Sequence, residues 1–163
     1  KVVKVEGEKL QGLFTGSVVE EETVLVDASS VNGESGKLLQ ISLTAATESA
    51  RARITISNED VIKAFDKTTD KAVFNWYYAG TDDLKLNVCV KQKQSTYPRE
   101  LGAQITLKTG ANTVSLEGIS TINWEKNGDI EYIFFEIGEL NQPARNDLYL
   151  KNIVVYKMQE ETE

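Results

Sequence analysis

The sequence predicts an all-β protein, an antiparallel sandwich of about nine strands. Apolar and polar residues alternate with the period of two that is typical of a strand with one buried face. The alternating segments recur about every ten residues, and turn-forming pairs such as Asn32-Gly33 and Thr109-Gly110 separate them. Strands are predicted at 23–27, 37–44, 50–57, 72–79, 84–93, 102–108, 113–116, 131–137 and 148–158.

Three segments depart from this pattern. Residues 58–66 form either a short helix, for which Asn58 would be the N-cap, or a further strand. Residues 1–9 are either a linker or an edge strand. The acidic residues 159–163 have nothing to bury, so we expect this tail to fray.

The composition indicates one globular domain, residues 1–163, because 40% of the residues are hydrophobic, which is enough for one core. The single cysteine, Cys89, has no partner for an internal disulfide. The formal net charge is −7, and such an acidic chain is a poor ligand for nucleic acid. No segment approaches the roughly 20 apolar residues of a membrane span. Because the chain starts at Lys1, we expect a piece of a longer polypeptide.

The chain contains no histidine. This absence excludes Ser-His-Asp and Cys-His nucleophile systems and histidine-based zinc or iron sites. Carboxylate chemistry remains, and a glycosidase would place two carboxylates across a cleft, about 5 to 10 Å apart. Glu131 and Glu136 lie on one predicted strand at an odd spacing, which sends them to opposite faces. We therefore expect no enzyme, and a carboxylate-based glycosidase is the less favoured alternative.

Several polar and aromatic residues are candidates for binding a ligand, because they can offer flat apolar platforms and hydrogen-bonding groups. In the strand at 72–79, Asn75 and Tyr77 face away from the core if Phe74, Trp76 and Tyr78 face into it. In the next strand, Asn87 and Lys91 face outward. If these two strands are neighbours, the four outward residues form one binding surface; an ordinary solvent-facing surface is the alternative.

Further candidates lie outside that surface. The polar segment 92–102 offers Gln92, Gln94, Tyr97 and Arg99 to a ligand, with simple loop closure over the sandwich edge as the alternative. Trp124 precedes a turn and is either a cover over the core or an exposed stacking platform. The strand at 131–137 is apolar on both faces near its middle, which indicates burial on one side and a cover or a ligand contact on the other.

Four segments resemble, in order and spacing, the galactose-binding-like jelly-roll modules that accompany glycoside hydrolases. Segment 33–43 resembles their glycine-lysine turn and early strand, and 72–78 their aromatic central strand. Segment 106–114 resembles a turn in which the family often has an aromatic residue where this chain has Ala111. Segment 147–155 resembles the closing strand, with Lys151 where the family often has an acidic residue.

The resemblance implies a jelly-roll β-sandwich of eight to ten strands, sugar binding as the commonest activity, and one structural calcium ion. The calcium ligands that it points to are Asp27, Glu34 and Asp147. It also implies a secreted or cell-surface monomer, tethered to a larger protein such as a glycoside hydrolase. The expected ligand is a plant or microbial polysaccharide of the β-glucan, xylan or mannan type. A protein-interaction or cell-surface scaffold without sugar affinity is the alternative, because one fold hosts many functions.

Overall fold

The computed structural model describes residues 2–10, 13–15, 22–27, 36–43, 45 and 51–158. Each of the nine predicted segments overlaps a strand, and the described residues contain three strands more. The strands are β1 (Val2–Glu6), β2 (Phe14–Thr15), β3 (Glu22–Asp27), β4 (Lys37–Leu43), β5 (Arg53–Ile56), β6 (Thr69–Tyr78), β7 (Leu84–Gln92), β8 (Arg99–Glu100), β9 (Ile105–Leu107), β10 (Gly110–Glu117), β11 (Ile130–Ile137) and β12 (Arg145–Lys157). The helices are α1 (Glu59–Ile62) and α2 (Trp124–Asn127).

The strands form two antiparallel sheets. Sheet A has the order β10-β6-β12-β4-β3, and β1 also pairs with β12. Sheet B has the order β2-β5-β11-β7-β8, and β9 also pairs with β7. The predicted fold class, an antiparallel jelly-roll β-sandwich, is confirmed.

The core lies between the two sheets, where the alternation of each strand places its apolar row. Phe135 of sheet B joins the sheets, because its ring makes edge-to-face contacts with Phe74 and Trp76 of sheet A, at centroid distances of 4.9 and 5.2 Å. Such contacts stabilise a core beyond the area that they bury. The prediction that Phe74, Trp76 and Tyr78 face inward is correct, since all three side chains are buried.

The structure decides between the alternatives for two of the segments that depart from the strand pattern. Residues 58–66 begin with the helix α1, and the side chain of Asn58 accepts hydrogen bonds from the backbone N–H groups of Asp60 and Val61, as an N-cap does. Residues 2–6 form the strand β1 rather than a linker. Neither helix in the described ranges has the length or the apolar character of a membrane-spanning segment.

Candidate functional site

The four outward residues that were expected to form one surface lie on two different sheets. Asn75 and Tyr77 are on β6, which pairs with β10 and β12 in sheet A. Asn87 and Lys91 are on β7, which pairs with β11, β8 and β9 in sheet B. The condition for one binding surface, that the two strands are neighbours, is not met, because the chain crosses from one sheet to the other between them. The sandwich therefore has two separate outer faces with candidate residues.

Face A is the outer face of sheet A around Tyr77 and Tyr149. These two rings pack edge to face at 6.2 Å and cover Leu38. Beside them, the side chain of Asn75 donates to Asn152 Oδ1 at 2.7 Å and accepts from the Thr113 hydroxyl at 3.0 Å. The polar groups of face A are thus bonded to one another across three strands.

A shallow groove of about 260 Å³ runs between the strands of face A and is lined in part by Asn75, Tyr77 and Asn152. This volume lies slightly below the usual range of about 300 to 1,000 Å³ for small-molecule pockets.

Face B is the outer face of sheet B, formed by the outward side chains of β5, β11 and β7. A row of paired residues crosses its centre, from Thr55 through Phe134 to Cys89. These side chains are only 8%, 2% and 9% exposed, and Phe134 and Cys89 lie outside the core cluster between the sheets. Neighbouring side chains cover this outward row, and we call it the floor of face B.

Arg53 and Glu136 flank that floor. The guanidinium carbon of Arg53 lies 4.3 Å from the centroid of the Phe134 ring, a cation–π geometry. Its Nε also donates to Glu136 Oε2 at 2.9 Å. Tyr132 lies beside Phe134, with 6.1 Å between the ring centroids, and is partly exposed. Face B therefore combines one partly exposed aromatic ring with an arginine and a carboxylate that hold each other in position.

The Cys89 thiol on this floor is not a nucleophile. Burial, with the nearby carboxylates of Glu136 and Glu100, raises the pKa of Cys89 to about 11. Because the thiolate is the reactive form, the group stays protonated and unreactive at neutral pH.

The two carboxylates considered for glycosidase chemistry both form ion pairs. Glu136 pairs with Arg53, and Glu131 lies 3.1 Å from the ammonium of Lys91, at a bulge where β11 shifts register against β7. Lys91 also donates to Gln92 O at 2.7 Å. Lys91 thus lies on face B as predicted, with its charge bound to neighbouring groups.

The four candidate residues of segment 92–102 differ in their exposure to solvent. Gln92 is 2% exposed, and its amide donates to Asn123 O at 3.0 Å and to Gly128 O at 2.9 Å. It therefore holds the α2 segment and has no access to a ligand, contrary to its prediction as a sugar contact. Gln94 lies against Gly128, Arg99 is exposed on β8, and Tyr97 is 79% exposed. Ligand contacts by these three stay predictions.

Trp124, the first residue of α2, combines the two alternatives offered for it. Its ring is half-buried and packs against the core, and its indole N–H donates to Ile119 O at 2.9 Å. The rest of the ring lines a cavity of about 570 Å³ together with Asp66 and Asp129.

Two of the three residues expected to bind calcium, Asp27 and Asp147, are described, and they lie apart. Asp27 pairs with Lys37 at 2.6 Å, at one end of β4. Asp147 lies beside Leu148, which pairs with Ile41. Asp147 is thus about five residues further along β4, roughly 16 Å, which is too far for the two carboxylates to share an ion.

Glu34 lies outside the described residues, and within those residues no three acidic, cysteine or histidine side chains form a group that could hold a metal ion. The bound calcium ion therefore stays a prediction, and no site for it is identified among the described residues.

Sequence reasoning did not select Arg53, Tyr132 or Glu136 as site residues. The one sequence signal for Tyr132 and Glu136 was the strand at 131–137, whose apolar residues occupy both faces, and Arg53 on β5 had none. The structure gives the reason for that signal, since Phe135 fills the core while Phe134 forms the floor of face B.

Comparisons with known proteins agree on the fold. No protein-family model and no curated protein matches the chain. Among solved structures, a xylan-binding domain of carbohydrate-binding module family 22 from Paenibacillus barcinonensis is similar, with a TM-score of 0.64 and 13% identity over 98% of this chain and 95% of that domain.

Two modules from Clostridium thermocellum are also similar. A family 30 module of a cellulosomal cellulase has a TM-score of 0.59 and 12% identity, over 98% of this chain and 99% of that one. A family 11 module in complex with a β-1,3-1,4-mixed-linked tetrasaccharide has a TM-score of 0.57 and 14% identity, over 99% and 90%. The chain therefore shares the jelly-roll fold of these carbohydrate-binding modules.

Proposed function

We propose that this protein is a non-catalytic carbohydrate-binding module that binds a neutral plant or microbial polysaccharide on face B. The observation that carries the proposal is the partly exposed ring of Tyr132, which lies beside Phe134 on the same outer sheet face as the Arg53–Glu136 pair. The fold shared with sugar-binding modules supports the same function.

The side chains of face B suit the two chemical features of a sugar. The C–H groups of a pyranose ring pack against an aromatic surface, and the partly exposed ring of Tyr132 offers one. Sugar hydroxyls both donate and accept, so Glu136 is an acceptor for them, Arg53 a donor, and Asn87 at the edge of the floor can do both. Because Arg53 and Glu136 already hold each other, little side-chain entropy is lost when a ligand binds.

We place the ligand on face B rather than on face A because a larger cavity adjoins face B. Tyr132 also lines a cavity of about 570 Å³ at the end of sheet B, whereas the groove of face A has about 260 Å³. We further propose that the module acts outside the cell, as a tethered part of a larger protein that acts on polysaccharide, and that β-glucan, xylan and mannan are the ligands to examine first.

Affinity electrophoresis tests this function. We expect the native protein to be retarded in gels that contain mixed-linkage β-glucan, xylan or mannan, by at least one of the three. Polygalacturonate, an acidic polysaccharide, should not retard it, because the protein has a formal net charge of −7. Unchanged mobility in all three neutral gels would contradict the proposal and favour the protein-interaction scaffold.

Tyr97→Ala belongs in the same gels, because Tyr97 is the most exposed aromatic residue among the described ones. Binding confined to face B predicts that its retardation matches that of the native protein, whereas a sugar contact by Tyr97 predicts a loss. Retardation lost on Tyr97→Ala would instead place the sugar contact on the β7–β8 connection.

A further inference from the structure

A trough lies at one end of the sandwich, where β11 begins and β7 ends. It consists of two adjoining cavities of about 570 Å³ each, which share Asp66 and Asp129 in their walls. Tyr132 lines the first cavity and Trp124 the second. We call this feature the end trough. Each half falls within the size range of small-molecule sites, about 300 to 1,000 Å³.

The end trough continues face B, because Tyr132 belongs to both. Its ring lies 6.1 Å from Phe134 on the floor of face B and also forms the wall of the first cavity. The apolar lining of that cavity comes from Ile62, Phe65 and Ile130, which also belong to the core. Beyond Tyr132, face B is therefore followed first by the apolar lining of the first cavity and then by Trp124 in the second cavity.

Trp124 is a fixed platform. Its indole N–H is already bonded to Ile119 O, so the cavity meets the apolar ring rather than a free donor. The helix α2 is held by the Asn123 side chain, which accepts from Lys126 N at 2.9 Å, and by the two bonds from the Gln92 amide. A rigid apolar ring of this kind is pre-organised to pack against the C–H face of a sugar.

The charges around the trough favour a neutral ligand. Five carboxylates and three lysines line the two cavities, and Lys91 and Lys157 pair with two of these carboxylates, so the opposite charges nearly balance. Asp66 Oδ1 accepts from the Thr68 N–H and faces the ammonium of Lys157 at 3.1 Å. Burial alone would raise the pKa of Asp66, but the hydrogen bonds from Thr68 and Lys157 outweigh it and lower the pKa. The carboxylates are thus acceptors for the hydroxyl groups of a neutral ligand.

We propose that the end trough is a second section of the binding site, in which a neutral glycan chain leaves face B over Tyr132 and packs its next sugars against Trp124, with Asp129 accepting from their hydroxyls. This inference rests on the proposed function of face B. It implies that a long oligosaccharide gains affinity from the trough, whereas a short one occupies face B alone.

Calorimetric titration with fragments of four and eight sugars from mixed-linkage β-glucan, xylan and mannan tests the trough. For at least one of these polysaccharides, we expect the eight-sugar fragment to bind about tenfold more tightly than the four-sugar fragment. Trp124→Ala should remove that gain and leave the four-sugar affinity unchanged. Asp129→Asn should reduce the gain a few-fold, and because Asp129 is exposed this variant does not depend on core packing.

Glu117→Gln is the matched control for Asp129→Asn, because it also removes one exposed carboxylate, on β10 of the other sheet. It should change neither affinity. A native protein that binds both fragments equally, or a Trp124→Ala variant that keeps the gain, would overturn the trough while face B stands. If none of the fragments binds the native protein, the proposed function itself fails.

Discussion

Tyr132→Ala is expected to weaken polysaccharide binding by at least about tenfold, a larger effect than we expect from any other single change on face B. We expect this large effect because Tyr132 lies at the junction of face B with the end trough and contributes an aromatic surface to both. The ring is partly exposed and does not belong to the core cluster between the sheets, so the variant should remain folded. Affinity electrophoresis against the retarding polysaccharide measures the change.

The matched control for this variant is Tyr156→Ala. Tyr156 is a half-buried tyrosine on β12 of sheet A, where its ring contacts the ammonium of Lys71. Removing it should leave binding unchanged, because it lies on the opposite side of the sandwich. Equal losses in the two variants would mean that tyrosine removal weakens binding through the fold rather than through face B.

Phe135→Ala is expected to lower the free energy of unfolding by about 3–5 kcal/mol, the usual cost of removing a buried phenylalanine side chain. Its ring is fully buried and contacts Phe74 and Trp76 of the opposite sheet. The substitution would therefore leave a cavity where the two sheets meet. Urea denaturation of the native and variant proteins measures the difference.

Phe135→Leu keeps most of the buried volume and should cost less, about 1–2 kcal/mol. A loss below about 1 kcal/mol for Phe135→Ala would contradict the inference that this ring stabilises the contact between the two sheets.

The alternation of residues along each strand was sufficient to predict the core, because inward and outward positions follow from the period of two alone. Phe74, Trp76 and Tyr78 on β6, and Leu86 and Val88 on β7, are all buried as predicted. The same alternation carries no information on which strands are neighbours. Asn75 and Asn87 are both outward, yet they lie on opposite sides of the protein, because successive strands can belong to different sheets.

The roles of Gln92 and Trp124 depended on contacts that are remote in sequence. The Gln92 amide bonds the carbonyl oxygens of Asn123 and Gly128, some thirty residues away, and a polar residue at a strand end carries no local sign of such a partner. The end trough likewise combines Asp66 with Asp129, from segments that only the folded sandwich brings together. Site residues of this kind follow from topology, which the sequence pattern did not determine.

The most direct test of the account is an NMR titration that follows the side-chain amide signals of the two outer faces. Asn87 and Gln104 are bonded to each other at the edge of face B, and Asn75 is bonded to Asn152 on face A. With a four-sugar fragment of the polysaccharide that retards the protein, we predict that the Asn87 and Gln104 amide signals shift while those of Asn75 and Asn152 do not. Shifts confined to Asn75 and Asn152 would contradict binding on face B.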